Sequence, residues 1–516
     1  MGREKNQTGL KELHLVITKQ LQDEALSYLF RQDDQSSFLP ERGFLGVIHS
    51  GGGVLRRSLF LRRIIPQQEG WVTWTNHGLS FDPAYFSRAL DAVSESALGA
   101  GLIIVHSHPG LGGSINTPPR PSKPDLYHER TLLYHLSHAL PPGSPVAAGI
   151  VDCSGAWRIC EYHWPRPATA KEARSKRFGI NSASHSDASA IRIVSSDALT
   201  VYHYGRKTSI EADAKTVDST LRLWGSLGQQ ILGNLRVGIA GLGGVGSILA
   251  EFLARLGIGE LVLVDFDIVK EENLNRLVGV RREELGKPKI KYAARICRQA
   301  STAAPFKVRT FRGSVSERDG LKHLLDADII MNAADSAFVR QVLDHVSYAY
   351  AIPVIDGGTT LVVGARHGET IGKSQTGEAG PGQPCLECTG AYTQEEATLA
   401  REDPSTVGPS SYVQMIGQEA GEEPPRAPSV ISYNGLVAAL MVQRLLSTVL
   451  GLPPKGKRGQ QRYYVELGEL NWGPTIQCKE GCPKQSWVGL GDSHPVPVGV
   501  DPLWKKMRQQ KEANGS

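Results

Sequence analysis

The sequence has little excess charge and few cysteines for its length. Of its 516 residues, 57 are lysine or arginine and 52 are aspartate or glutamate, which leaves a formal net charge of +5. Because no sustained basic run concentrates this charge, the chain lacks the electrostatic footprint of a nucleic-acid-binding protein. Its 7 cysteines suggest metal ligands and buried thiols before disulfides in a chain that we expect to be cytoplasmic.

Long apolar runs are also missing. The longest apolar stretch, 436–452, is interrupted by polar residues that include Gln443 and Arg444, and it therefore predicts a core helix and not a membrane span. The first residues contain no apolar signal-peptide segment, and Asn6 stands where a myristoylation motif needs serine or threonine. We therefore predict a cytoplasmic protein with no membrane partner.

The pattern of apolar residues predicts an α/β protein with several domains. Residues 1–165 alternate between strand-like and helix-like segments and predict an α+β domain, and residues 166–190 have no periodicity and predict a linker. Residues 191–500 contain βαβ units, which are typical of a doubly wound, Rossmann-like parallel sheet. Within them, a segment rich in Gly, Pro, Glu and Ser at about 389–429 predicts a mobile loop. Residues 501–516 are predicted to form a tail.

A first group of residues predicts a catalytic zinc site. His106 and His108 end a predicted strand, where residues i and i+2 point the same way, and Asp125 stands at the start of a predicted helix. Three protein ligands leave a fourth position for water, and zinc lowers the pKa of that water to about 7. Glu41, just before another strand, is the candidate base, and Ser122 is the candidate donor to a developing oxyanion.

These residues resemble the motifs of the JAMM (JAB/MPN) metallopeptidases, which have an upstream glutamate, then His-x-His-Pro and then Ser-x-x-Asp. The resemblance covers about residues 1–165. It implies hydrolysis of a peptide or isopeptide bond after the C-terminal glycine of a ubiquitin-like protein. The alternatives are a metal-free domain of the same fold, or a histidine pair that only caps a strand.

A second group begins with a glycine turn after the predicted strand 235–240. The turn runs into a predicted helix, so its backbone N–H groups and the helix N-terminus face an anion. Asp265 ends the next predicted strand, where a carboxylate can bind ribose hydroxyls. Up to this point the pattern fits an NAD enzyme as well as an adenylate-forming enzyme. The glycines of the turn are Gly241, Gly243, Gly244 and Gly246.

Residues further along the chain favour ATP. Arg276 and Lys289 can neutralise phosphate oxygens as negative charge moves to a leaving pyrophosphate, and Asp335, at the end of a predicted strand, can hold Mg²⁺. A hydride-transfer site needs neither the cations nor the metal-binding carboxylate. The combination therefore predicts a site for a triphosphate with Mg²⁺.

Together these motifs are similar to those of the ThiF/MoeB and ubiquitin-activating superfamily, over residues 221–482. The resemblance implies a domain that adenylates the C-terminal glycine of a ubiquitin-like protein and that forms a homodimer. By this resemblance, the glycine turn and Asp265 would bind the adenosine part of ATP. Asn273, Arg276 and Lys289 would contact the phosphates, and Asp335 would position Mg²⁺. A dinucleotide-binding Rossmann domain is the alternative. The residues that the resemblance assigns to ATP and Mg²⁺ are the four turn glycines, Asp265, Asp267, Asn273, Arg276, Lys289 and Asp335.

Two cysteine pairs far apart in the sequence predict a structural zinc. Cys385 with Cys388 and Cys478 with Cys482 together supply the four sulfur ligands of a closed tetrahedral site. The loop at 389–429, where thioester-forming activating enzymes keep a nucleophilic cysteine, contains none. The adenylate is then expected to pass directly to a partner protein, or to a loop hydroxyl as an oxyester.

The two predicted chemistries share one reactant, because a peptidase that cuts after a C-terminal glycine exposes the carboxylate that an activating enzyme adenylates. The chain resembles the fused activating enzyme and JAMM peptidase of bacterial ubiquitin-like conjugation operons, which are associated with phage defence. This resemblance implies a ubiquitin-like protein and a conjugating-enzyme-like protein as partners. The alternatives are trimming and activation of a sulfur-carrier protein for thiocarboxylate formation, and an inactive scaffold that binds a ubiquitin-like protein.

Overall fold

The computed structural model of the chain divides into two compact units. The first unit comprises Met1–Val194, Thr200–Arg206 and Gly489–His494, and the second unit comprises Ser195–Leu199, Lys207–Val488 and Pro495–Ser516. The residues that the structure describes are 11–31, 40–75, 78–110, 114–166, 179–204, 216–363, 370–402, 429–453, 459–473 and 477–513.

The first unit is built on a β-sheet with the strand order β1-β3-β2-β6-β7-β8-β9-β10. The long strand β9 pairs with β8 through residues 184–187 and with β1 through residues 188–194, so the sheet closes on itself. A separate hairpin is formed by β4 and β5. The strands are β1 (Glu12–Thr18), β2 (Gly43–Gly52), β3 (Arg56–Ile64), β4 (Val72–Thr75), β5 (Gly78–Phe81), β6 (Gly101–His108), β7 (Val146–Asp152), β8 (Trp157–His163), β9 (Ser184–Val194) and β10 (Leu199–His203).

Helices cover both faces of this sheet and create two apolar cores. They are α1 (Lys19–Leu29), α2 (Pro83–Ser94) and α3 (Lys123–Ala139). Alternate residues of β6 enter different cores: Ile103 and Val105 pack in the core that includes α1, and Leu102 and Ile104 pack in the core that includes α2 and α3. Because side chains along a strand alternate between its faces, the even-numbered residues that follow on β6 point toward α2 and α3.

The second unit contains a mixed sheet with the strand order β13-β12-β11-β14-β15-β16-β17-β18. The first five strands in this order are parallel, and the pairs from β15 onward are antiparallel. The strands are β11 (Arg236–Ala240), β12 (Glu260–Val264), β13 (Lys307–Phe311), β14 (Ile329–Asn332), β15 (Val354–Val363), β16 (Thr370–Ala379), β17 (Gln461–Tyr464) and β18 (Glu469–Trp472).

The parallel part is doubly wound about β11. The chain proceeds from β11 to β12 and β13 on one side and then returns to β14 on the other side. A crevice opens at the carboxyl ends of the strands where the direction of winding changes, and this is where ligands bind in such sheets. The helices of the unit are α4 (Asp218–Asn234), α5 (Gly244–Arg255), α6 (Lys289–Ala300), α7 (Arg318–Leu324), α8 (Ala337–Ala349), α9 (Gln394–Glu402), α10 (Ile431–Leu450) and α11 (Pro502–Ala513).

Helix α10 contains the apolar stretch predicted as a core helix. By length and composition it could cross a membrane, but 61% of its most apolar 18-residue stretch is buried within the protein. It packs against α5, β15 and β16. The buried side chains include Val437, Met441 and Leu445, and this contact with the sheet accounts for its apolar sequence.

The structure corrects three of the predicted boundaries. The predicted linker 166–190 is wrong at its C-terminal end, because residues from Ser184 onward form β9 and complete the first sheet. Consequently the first unit extends beyond residue 165, and the second does not begin at residue 191. The start of β9 is rich in serine and lacks the apolar alternation of a strand, which is why the sequence concealed it. Residues 167–178 lie outside the described residues.

Two further segments contain helices that were not predicted. The predicted loop at about 389–429 includes α9, and the predicted tail at 501–516 includes α11. Both helices are polar, so neither shows a wide apolar stripe in the sequence. Residues 403–428, which hold the rest of the predicted loop, lie outside the described residues.

Candidate functional site

The structure brings the first predicted ligand set together at the end of β6. The Nε2 atoms of His106 and His108 are 3.2 Å apart. The Asp125 carboxylate lies 3.6 Å from Nε2 of His106 and 3.3 Å from Nε2 of His108. Ligand atoms of all three residues lie within 4.8 Å of one another. Two imidazole nitrogens and one carboxylate oxygen in this arrangement fit a zinc ion with an open coordination position.

Local structure accounts for this convergence. His106 and His108 continue the row of β6 side chains that faces α2 and α3, and α3 begins with Asp125 in its first turn. A capping box fixes that turn: the Ser122 hydroxyl oxygen accepts from the Asp125 N–H at 3.2 Å, and the Asp125 carboxylate accepts from the Ser122 N–H at 2.6 Å.

Electrostatics favour a cation at this point. Burial by itself would raise the pKa of Asp125, but hydrogen bonds from His106, His108 and Ser122 lower it well below the usual range. Burial would lower the pKa of His108, but the hydrogen bond and charge of Asp125, with the charges of Glu41 and Glu129, raise it. The structure therefore places the carboxylate of Glu41 where its charge acts on a predicted metal ligand.

Behind the cluster, a buried ion pair holds α3 against the sheet. Glu129 follows Asp125 by one helical turn and accepts from Arg158 Nη1 at 3.2 Å and from the Tyr162 hydroxyl at 2.9 Å. Glu129 and Arg158 are both buried. The sequence alone gave no signal for this pair, since its members lie on a helix and a strand 29 residues apart.

In the second unit, the glycine turn lies between β11 and α5. Gly241 has a φ of +84°, which favours glycine. A Cβ on Gly246 would clash with the carbonyl oxygen of Gly241, whereas a Cβ on Gly243 would meet no atom within 4 Å. No side chain caps the N-terminus of α5 at Gly243 among the described residues. The turn is therefore tightly packed on one side and open on the other, as a phosphate-binding turn must be.

A carboxylate and lysine network borders this turn. Asp265 accepts hydrogen bonds from the N–H groups of Leu242 at 2.6 Å and Asp267 at 2.7 Å. Nζ of Lys289 donates to the Asp267 carboxylate at 2.9 Å. Burial would lower the pKa of Lys289, but the nearby charges of Asp265, Asp267 and Asp335 raise it. Lys289 is thus a buried ammonium group, fully charged at neutral pH.

The remaining predicted residues line the same cleft, which has a volume of about 690 Å³. Asn273 is buried, and its side-chain oxygen accepts from the Lys270 N–H at 3.1 Å. Arg276 contacts the carbonyl oxygen of Glu272 and donates to the Asn275 side chain at 3.1 Å. Asp335 is exposed at the cleft after β14. Cations, an exposed carboxylate and an open glycine turn in one cleft fit a nucleoside triphosphate with Mg²⁺.

Sequence reasoning missed one charged pair in this cleft. Arg340 of α8 is buried, lines the cleft and donates through Nε to the Asp356 carboxylate at 3.0 Å. Asn332 donates to the same carboxylate at 2.7 Å. Burial raises the pKa of Asp356, while Arg340 and Asn332 lower it, and the net shift is upward. Arg340 carried no motif, and its ion pair with Asp356 of β15 becomes visible only in the folded structure.

The four predicted zinc cysteines form a second cluster in the second unit. Ligand atoms of Cys385, Cys388, Cys478 and Cys482 lie within 4.8 Å of one another, and Sγ of Cys385 and Sγ of Cys482 are 3.9 Å apart. Backbone N–H groups point at the sulfurs: that of Cys388 donates to Cys385 at 3.3 Å, and that of Lys479 donates to Cys388 at 3.4 Å. Four converging sulfurs that accept backbone hydrogen bonds fit a structural zinc.

Comparison with known proteins places the second unit in a family. The ThiF family matches residues 217–482. Over 227 residues the chain is 26% identical to a molybdopterin-synthase adenylyltransferase of Escherichia coli, covering 42% of this chain and 86% of the relative. A SAMP-activating enzyme E1 of Haloferax volcanii is 29% identical over 178 residues, 34% of this chain and 60% of that protein.

More distant similarities extend over a longer part of the chain. A ubiquitin-like modifier-activating enzyme 5 of Gallus gallus is 23% identical over 295 residues, 54% of this chain and 65% of the relative. The chain thus spans less than two thirds of two of these relatives. A crystal structure of Escherichia coli MccB with MccA-N7isoASN matches with a TM-score of 0.41 and 18% identity, over 52% of this chain and 74% of that one. Because the family match covers more than half of the 516 residues, this chain belongs to the ThiF family.

Proposed function

We propose that the second unit binds ATP with Mg²⁺ and adenylates the C-terminal carboxylate of a ubiquitin-like or sulfur-carrier protein. The observation that carries this proposal is the convergence of the glycine turn, Asp265, Lys289 and Asp335 on one cleft at the carboxyl ends of parallel strands. The relatives support it, because they are named as adenylyltransferases and as modifier-activating enzymes. A hydride-transfer site needs no carboxylate for Mg²⁺, the role proposed for Asp335.

In the proposed reaction a carboxylate oxygen of the modifier attacks the α-phosphorus of ATP. A bond forms between that oxygen and phosphorus, and the bond from the α-phosphorus to the bridging oxygen breaks, which releases pyrophosphate. Lys289 and Arg276 stabilise the negative charge that develops on the phosphates, and Asn273 holds them in place. Asp335 would hold Mg²⁺, which supplies further positive charge to the triphosphate. Asp265 orients the ribose.

ATP–pyrophosphate exchange tests this proposal. We expect exchange that requires a protein ending in glycine, and we expect Asp335→Ala to abolish it. Asp319→Ala is the matched control, because Asp319 is an exposed aspartate of α7 in the same unit and does not line the cleft. Exchange that does not depend on Asp335, or binding of NADH to the glycine turn, would contradict the proposal.

We also propose that the first unit is a JAMM-type zinc peptidase that trims the modifier precursor, removes the modifier from targets, or does both. His106, His108 and Asp125 would hold the metal, which supplies a hydroxide at neutral pH when bound. Glu41 would take and return the proton, and Ser122 would donate a hydrogen bond to the oxyanion. The proposal is supported by the distances among the three ligands and by the low pKa of Asp125.

Cleavage of a modifier with an added C-terminal extension tests the peptidase. We expect the wild type to remove the extension and His106→Ala to leave it intact. His135→Ala is the matched control, because His135 is an exposed histidine of α3 outside the cluster. Equal cleavage by wild type and His106→Ala would show that the cluster is not catalytic.

For the four cysteines we propose a structural zinc, and for the second unit a homodimer in the cytoplasm. The metal proposal depends on the convergence of four sulfurs. Metal analysis that finds no zinc in the purified chain would contradict the metal proposal. A monomer in sedimentation experiments at micromolar concentration would contradict the homodimer.

One observation favours the sulfur-carrier alternative. Residues 389–429 contain no cysteine, so a thioester on that segment cannot form. Transfer of sulfur to the adenylate needs no cysteine in this segment. One relative, of Caenorhabditis briggsae, is named adenylyltransferase and sulfurtransferase MOCS3. Transfer of the modifier to a conjugating-enzyme-like protein, as in the bacterial operons linked to phage defence, would favour conjugation. Formation of a thiocarboxylate would favour the carrier.

A further inference from the structure

One wall of the nucleotide cleft is formed by the last described segment of the chain. Asp501, Pro502 and Leu503 line the cleft together with residues 313–315, which follow β13. Leu503 leaves 52% of its surface exposed. An apolar side chain that borders an open cleft is available for contact with a flat apolar ligand group.

Hydrogen bonds fix this segment to residues 314–317, which follow β13. The buried Asp501 carboxylate accepts from the Ser314 hydroxyl at 2.5 Å and from the Ser316 hydroxyl at 3.4 Å. The same carboxylate accepts from the Trp504 N–H at 3.1 Å, so Asp501 is the N-cap residue of α11. The backbone N–H of Asp501 donates to the Glu317 carboxylate at 3.2 Å. The start of α11 is therefore held by the segment that follows β13.

Aromatic packing fixes the helix to the segment that follows β12 as well. The ring of Trp504 lies 5.7 Å from that of Phe266, and the guanidinium of Arg312 lies over the Trp504 ring at 5.6 Å. Phe266 directly follows Asp265 and also lines the cleft. Helix α11 thus joins the two loops at the end of the cleft that is remote from β14.

The order of groups along the cleft indicates which part of the nucleotide meets this wall. Phosphates belong near Lys289 and Arg276, where the cations are, and the ribose belongs at Asp265, which follows β12. The base then extends toward Phe266, Val315 and Leu503. We propose that the first turn of α11, through Leu503, forms the wall against which the purine base of ATP packs. This inference depends on the proposed use of ATP by the second unit.

The test compares ATP with inorganic tripolyphosphate, which has no base. Equilibrium binding of each is measured by calorimetry on the full chain, and the KM for ATP is measured by pyrophosphate exchange. We expect Leu503→Ser to raise the Kd and KM for ATP about fivefold, which is the loss expected for part of an apolar contact. We expect its kcat and its affinity for tripolyphosphate to stay unchanged.

Val500→Ser is the matched control, because Val500 is 58% exposed next to this segment and does not line the cleft. An unchanged Kd for ATP in Leu503→Ser, or an equal loss of affinity for ATP and tripolyphosphate, overturns the inference. So does a wild type that binds no ATP. A wild type that binds ATP but catalyses no exchange contradicts the proposed function alone, and the binding comparison still decides the role of Leu503.

Discussion

The two groups of side chains that could hold a metal ion differ in the number and type of their ligands, which are the features that distinguish catalytic from structural zinc sites. The cluster in the first unit has three ligands, two imidazoles and a carboxylate, at the end of a strand and the start of a helix. The cluster in the second unit has four sulfurs from two distant segments, with backbone N–H groups directed at them. Three ligands leave a position for water, whereas four cysteines fill the tetrahedron and join the segments.

A buried ion pair stands behind each cluster. In the first unit, Glu129 and Arg158 hold the helix that carries Asp125. In the second unit, Asp344 accepts from the N–H of Leu386 at 3.0 Å, next to Cys385, and pairs with Lys484 at 2.5 Å. Both clusters are therefore positioned by groups that are not themselves candidate ligands. Because one cluster has three ligands and the other four, we expect removal of a ligand to affect activity in the first unit and folding in the second.

The largest effect is expected at the four-cysteine cluster. Cys388→Ser should remove one zinc equivalent and lower the midpoint of thermal unfolding of the second unit by about 10 °C or more, because metal binding there contributes directly to folding. His106→Ala should remove the other equivalent with little change in the midpoint. Metal analysis and calorimetry check both variants, and the control is Cys153→Ser, since Cys153 is exposed and outside the cluster. If Cys388→Ser and His106→Ala lowered the unfolding midpoint equally, the distinction between a structural and a catalytic metal site would be wrong.

A similarly large effect is expected at the ion pair of the first unit. Arg158→Met leaves Glu129 buried with fewer partners, and breaking a buried pair in this way costs about 3 to 5 kcal/mol of unfolding free energy. Because α3 then loses its anchor one turn from Asp125, zinc affinity should fall as well. Denaturant unfolding and metal titration measure the two effects. The double variant Glu129→Met/Arg158→Met should recover much of the stability, and failure to do so would mean that the pair is not the cause.

The next effect concerns catalysis in the second unit. Lys289→Ala should lower kcat/KM in pyrophosphate exchange by about 100-fold or more, because a buried cation directed at developing charge is lost. Lys291→Ala, an exposed lysine on the same helix, should be neutral. A loss smaller than tenfold, with the protein folded, would show that Lys289 is a structural partner of Asp267 only.

The smallest effect is a pH dependence of the stability of the second unit. Burial raises the pKa of Glu378 to about 7, against the lowering effects of Arg444 and the Thr448 hydroxyl. An acid with a raised pKa in the folded state binds more protons there than in the unfolded state, so stability falls as pH rises from 4.5 toward 7. We expect a loss of about 2 kcal/mol up to about pH 6.5. Glu378→Gln should remove this share of the pH dependence of unfolding of the second unit, measured by denaturant unfolding from pH 4.5 to 7, and an unchanged slope would contradict the assignment.

The features that could be predicted from the sequence are those whose residue pattern lies within a short stretch of the chain. The positions of His106 and His108 follow from alternation along one strand, and the glycine turn follows from its place between a strand and a helix. Both signals lie within a few residues. The cysteine pairs are far apart, but sulfur is so specific a ligand that spacing within each pair sufficed to propose one site.

The features that were missed depend on long-range contacts of polar segments. Strand β9 begins with serine and histidine and is recognisable only through its pairing with β8 and β1. Helix α11 is mostly polar and is held in place by Asp501 and Trp504, whose partners are more than 180 residues away. The pairing of Arg340 with Asp356 likewise requires the sheet to exist first.

Intact-protein mass spectrometry of a modifier precursor tests the central claim most directly. The precursor, extended beyond its C-terminal glycine, is incubated with the full chain, ATP, Mg²⁺ and Zn²⁺. We predict a product that ends at the glycine and carries AMP, no trimming with His106→Ala, and trimming without AMP with Asp335→Ala. A precursor that gains AMP without losing its extension, or that stays unchanged with the wild-type chain, would contradict the claim that both sites act in turn on one carboxyl terminus.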